Sequence, residues 1–193
     1  MPIELADVQL LLSTILPLVA AFTGLTSNWT GQVHLSEELG GDGRPRFKAK
    51  KDWGCSISIH QGSLSDPGLF GTLVHECFHC FSRGLTAPVF DRFKGYEEGV
   101  VEGLTQLTGE RIAQAMPISV AFEIRYTFDN YVQPLERLRA ETELDSESFY
   151  LEMLRTPLAE REAKVVQWAI AAHPSERRAR VLARIAADMR ELR

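Results

Sequence analysis

The chain has 193 residues, 45% of them hydrophobic and 24% charged, with a formal net charge of -5. That length suits one domain able to bury a core without staples, and the balance excludes a disordered or fibrous chain. A negative chain without a general surplus of Lys and Arg also argues against a nucleic-acid partner, because phosphate neutralisation needs clustered cations.

The first predicted element is the apolar stretch Val8 to Leu25. Its flank carries Glu4 and Asp7 but no Lys or Arg, Pro17 interrupts it, and Gln9, Ser13 and Thr14 dilute it. A buried or amphipathic helix is expected, with no targeting role and no membrane partner. Short alternating runs follow: Gly31 to Ser36, Phe47 to Lys51, and Cys55 to His60. They predict two or three strands of a small, mostly antiparallel sheet. In the last run Cys55, Ile57 and Ile59 share one face by period-2 alternation. Three cysteines, Cys55, Cys77 and Cys80, leave an odd thiol under any pairing. A disulfide framework is therefore not expected, and a reducing, cytoplasmic setting is favoured.

From Asp66 the pattern turns helical, with Asp66 as N-cap, Pro67 in the first turn and Gly84 as the stop. A loop from Gly84 to Gly95 leads to a second helix from Tyr96 to Ala115, ended near Pro117. The remainder reads as helices broken near Asp145, Pro157 and Pro174. In the last of them Val181, Ile185, Met189 and Leu192 recur at helical spacing among arginines, which predicts a surface helix docked by its apolar stripe.

The first of these helices carries His75-Glu76-Cys77-Phe78-His79, an HExxH sequence. Residues four apart lie one turn above each other, so both imidazoles can reach one Zn²⁺. Glu76, next to the first ligand, is placed to act as general base on the activated water. Cys77 and Cys80 fall roughly 180° and 120° from the midpoint of the two histidines, so they read as small buried hydrophobes and not as ligands. Downstream, Tyr96-Glu-Glu-Gly-Val-Val-Glu-Gly places Glu98 and Glu102 on one helix face. Gly99 and Gly103 beside them predict close helix packing.

HExxH followed by a Glu-Gly-x-x-Glu helix resembles the gluzincins, the superfamily of thermolysin-like peptidases and zinc aminopeptidases. The interval is also similar: positions 80 to 97 separate His79 from Glu98. The resemblance covers roughly residues 55 to 110. It implies Glu98 as third metal ligand and Glu102 as the carboxylate that accepts a hydrogen bond from a ligand histidine. It also implies an oxyanion donor, for which Tyr131 is preferred, ahead of Tyr126 and with Tyr150 as a further candidate. A metzincin would need a third histidine at position 85, which is leucine. A deformylase-like site would use Cys55 in Gly54-Cys55-Ser56-Ile57, but its interval to His75 is short. His34 and His173 lack partners at ligand spacing, while His60 belongs to a strand that could take up an extended peptide.

The expected protein is thus a single α+β domain spanning 1–193, similar to a minimal zincin: an N-terminal helix, a small sheet, an active-site helix and a helical C-terminal half. The expected function is zinc-dependent hydrolysis of a peptide or protein substrate. The alternative is a catalytically silent or latent zinc-binding interaction module.

Overall fold

A computed structural model describes residues 4–36, 55–123 and 126–193. Apolar residues recur at three- and four-residue intervals at Val8, Leu12, Ile15, Leu16 and Val19, and helix α1, Leu5–Thr23, buries this stripe. The helix runs through Pro17 without a break and stops at Gly24, whose φ of 67° is the left-handed conformation that glycine adopts at least cost. By length and composition alone α1 could also cross a membrane.

Two short strands follow, β1 (Val33–Ser36) and β2 (Ile57–His60). They pair in parallel, with Val33 opposite Ile57 and Ser36 opposite His60. The expectation of an α+β fold with an antiparallel sheet is therefore wrong. The protein is 70% helical, with seven helices and one two-stranded parallel sheet among the described residues. Alternation within each run sets which residues share a face but not the relative direction of two runs that no tight turn joins, so the pattern left parallel pairing open. The predicted strand at Phe47 to Lys51 lies outside the described residues. In the last run Cys55, Ile57 and Ile59 are buried as the alternation implies, but Ser56, expected on the opposite face, is buried with them.

Helix α2 spans Leu69–His79 and begins later than expected, with Gly68 at its N-cap. Asp66 instead accepts the Gly68 N–H at 2.8 Å, a local turn preceding the helix. Helix α3, Ala87–Ala115, begins well before Tyr96, so the expected loop to Gly95 is largely helical. Pro88 in its first turn lacks an N–H that would have no intrahelical partner there, and the irregularity falls at Phe93, where φ/ψ of -123°/28° kink the helix. Then come α4 (Asp129–Ala140), α5 (Ser146–Arg155), α6 (Arg161–Ala172) and α7 (Ser175–Glu191). The starts of α5 and α7 match two of the expected breaks: Asp145 caps α5 by accepting the Ser148 N–H at 2.8 Å, and Pro174 precedes α7; at the third, Pro157, a short 3-10 segment, Leu158–Glu160, comes before α6.

The chain divides into two compact units, with α3 contributing residues to each. The first comprises Met1–Phe81 and Thr108–Arg125. Its core joins the α1 stripe to Ile57 and Ile59 of β2 and to Leu73, Val74 and Phe78 of α2, with Phe22 edge-on to Phe78 at 6.4 Å. A disulfide joins Cys55 to Cys80, contrary to the expectation of free thiols. The backbone brings the pair together: the Asn28 N–H donates to the Cys80 carbonyl at 2.7 Å, and its carbonyl accepts from the Cys55 N–H at 3.1 Å. Both cysteines are thereby held beside one residue of a third segment, with Cα atoms 5.2 Å apart. The preference for a reducing compartment, which rested on unpaired thiols, loses its basis.

The second unit comprises Ser82–Leu107 and Tyr126–Arg193. Helix α7 docks on α4 and α6 by the stripe Val181, Ile185, Met189 and Leu192, all buried. Ion pairs rim this contact: Arg137 to Asp188 at 2.6 Å, Arg184 to both oxygens of Glu141 at 2.8 and 3.0 Å, and Arg193 to Glu162. The glycines of α3 allow close approach, as expected. A side chain at Gly99 would meet Leu135 Cδ1 at 2.7 Å and the Tyr131 carbonyl at 3.0 Å, and one at Gly103 would overlap the Tyr150 ring.

Candidate metal centre

Helix α2 presents the HExxH residues because its apolar face is committed to burial. Leu69, Phe70, Leu73, Val74, Cys77 and Phe78 are all buried, which fixes the rotation of the helix and so the direction of the residues between them. His75 is 7% exposed, while Glu76 and His79 are half-buried. The two imidazoles sit one turn apart with ring centroids 5.0 Å from each other and planes at 74°. His79 is the last helical residue. The carbonyl end of α2 therefore adds a negative electrostatic contribution beside the second imidazole, which favours a bound cation.

Glu98 comes from α3 and is buried at 8% exposure. One ligand atom from each of His75, His79 and Glu98 lies within 4.8 Å of the others, so the group could hold a metal ion. Two imidazoles and a carboxylate form a donor set suited to a divalent cation with an open coordination position. It is the one such group among the described residues.

Glu102 lies one turn beyond Glu98 on α3, also buried, and accepts a hydrogen bond from Gln106 Nε2 at 3.0 Å. Tyr131, on α4, has its backbone against Gly99, next to Glu98 in the chain, and its ring stacks on Phe128 with centroids 6.3 Å apart. Tyr126 is 65% exposed, whereas Tyr150 is buried against Gly103, and burial pushes its phenol well above the usual range. His34 lies on β1, and His173 stands 3.1 Å from Glu141 at the end of α6; neither joins the ligand group. Cys77 is buried and free, and desolvation, then the neighbouring Glu76 charge, pushes its thiol up. Cys80 is disulfide-bonded, so neither cysteine belongs to the group, in keeping with their angular positions on the helix.

No protein-family model, curated protein or solved structure matches the chain.

Sequence reasoning missed one polar cluster in the second unit. Glu97, Arg161 and Ser82 are at most 1% exposed. Arg161 Nη1 donates to Glu97 Oε2 at 2.8 Å and Nη2 to Ser82 Oγ at 2.6 Å, while the Ser82 hydroxyl donates to Glu97 Oε2 at 2.7 Å. Burial pulls the Arg161 guanidinium below its usual range, and the adjacent Glu97 opposes the shift. One signal existed. Consecutive carboxylates on a helix point about 100° apart, so if Glu98 ligates, Glu97 needs a different partner. Nothing in the sequence singles out Arg161, which lies 64 residues away.

Proposed function

We propose that the protein is a zinc-dependent hydrolase acting on peptide or related amide bonds. The observation that carries this reading is the convergence of His75, His79 and Glu98, donors of the types zinc takes, within 4.8 Å on two helices. When bound, zinc would polarise the scissile carbonyl and make water acidic enough to react near neutral pH. Glu76, beside His75, takes the proton from the attacking water and delivers it to the leaving amine. Glu102 holds a ligand imidazole in one tautomer through a hydrogen bond. Tyr131 donates a hydrogen bond to the oxyanion that forms on the substrate.

The test has two stages. Metal content per chain, measured by elemental analysis after gentle purification, is expected to be about one zinc for the wild type and much less for Glu98→Ala. Hydrolysis of a generic peptide library is then compared with Glu76→Gln, which should keep its metal and lose about 10²- to 10⁴-fold in rate. A wild type that takes up no metal even after reconstitution sinks the hydrolase reading. Bound zinc without turnover would instead assign the chain to the zinc-binding interaction modules.

A further inference from the structure

The Ser82, Glu97 and Arg161 cluster has no evident role in the chemistry just described, yet its placement relative to the ligands is specific. Ser82 follows His79 by three residues, and Glu97 immediately precedes Glu98. The Ser82 to Glu97 hydrogen bond therefore closes the chain segment that joins the second ligand to the third. Arg161 locks that closure through a planar fork. Besides Glu97 and Ser82, it donates to the carbonyls of Tyr96 and Thr156, both at 3.3 Å. The Arg83 carbonyl also accepts the Leu158 N–H at 3.0 Å, so residues 82–84 and 156–161 are joined by main chain as well as side chain.

We infer that this buried cluster is a positioning clamp for the metal centre: it sets the rotation of α3 and the length of the path from His79, so that Glu98 is presented to the two imidazoles in advance of binding. The inference rests on the proposed metal reading. Burying an ion pair is a poor way to gain stability, because desolvation offsets the attraction and well-packed apolar replacements often do as well; fixing a geometry is the better-attested use. A helix whose residue 97 is immobilised by two hydrogen bonds also has residue 98 directed about 100° away, with little freedom left to rotate. Such pre-organisation shows as metal affinity, since the ordering cost is met during folding and not at binding.

The experiment measures zinc affinity of the full chain by chelator competition, together with the melting temperature of the metal-free protein. The variants are Ser82→Ala, Glu97→Gln and the double replacement Glu97→Leu with Arg161→Met, which removes both charges while keeping an apolar volume. The visible spectrum of the cobalt(II)-loaded forms reports coordination geometry independently. The double variant is expected to melt within a few degrees of the wild type when metal-free, to bind zinc about 10- to 100-fold more weakly, and to show an altered cobalt spectrum. Should the double variant fail to fold, Ser82→Ala and Glu97→Gln give the same reading with smaller losses. Affinity within threefold of the wild type in every folded variant, with an unchanged cobalt spectrum, overturns the clamp and leaves the metal reading standing. A wild type that binds no zinc overturns both.

Discussion

At the scale of single residues, neighbours in the sequence have been given different tasks by the direction in which the helix points them. Glu97 and Glu98 are adjacent and both buried, but one joins an internal ion pair and the other the ligand group. The glycines of α3 follow the same logic, because their value is the side chain they lack. In Gly103→Ala the new methyl would overlap the Tyr150 ring, which is itself buried and packed edge-on to Phe149. Overpacking typically costs about 1 to 3 kcal/mol, against a helix-propensity gain of roughly 1 kcal/mol. A net loss is therefore expected. It would be read as a lower urea midpoint at unchanged slope, and a midpoint at or above wild type would refute the packing role.

Among elements, the contact of α7 with α4 and α6 combines an apolar stripe with charged rims, and only the rims respond to pH. The Arg184 guanidinium beside Glu141 holds its carboxyl below the ordinary value of 4.5. Since the folded-state value is depressed, this contribution is present above about pH 4.5 and is lost as pH falls through the folded-state value. Glu141→Gln should cost about 0.5 to 1 kcal/mol at pH 7, and the gap to wild type should narrow in melts taken below pH 4.5. A gap of constant size from pH 7 to pH 3 would show that the pair contributes nothing through its charge. The disulfide acts at the same scale, tying a residue just before β2 to the residue after α2. With Cys55 and Cys80 25 residues apart, Cys55→Ser together with Cys80→Ser should lower stability by roughly 3 to 4 kcal/mol in the loop-entropy account. Unchanged melting on adding a reductant that cleaves the bond would contradict this.

For the whole molecule, a metal that binds only the folded chain raises its stability by mass action, about 2.7 kcal/mol at a free concentration 100 times the dissociation constant. Zinc should raise the melting temperature of the wild type and leave that of Glu98→Ala nearly unchanged. Equal shifts in both would place the binding elsewhere. At this scale the sequence determined the local chemistry: HExxH on a helix, Glu98 and Glu102 on one face of another, an apolar first helix, the α7 stripe, and the helix breaks near Asp145 and Pro174. These follow from helix period and capping, which act over a few residues. The tertiary structure alone decided that β1 and β2 run parallel, that Cys55 meets Cys80, and that Arg161 is buried against Glu97 and Ser82. Each is a pairing between segments distant in the chain, set by which surfaces exclude water together, and a local pattern carries no record of a partner 25 or 64 residues away.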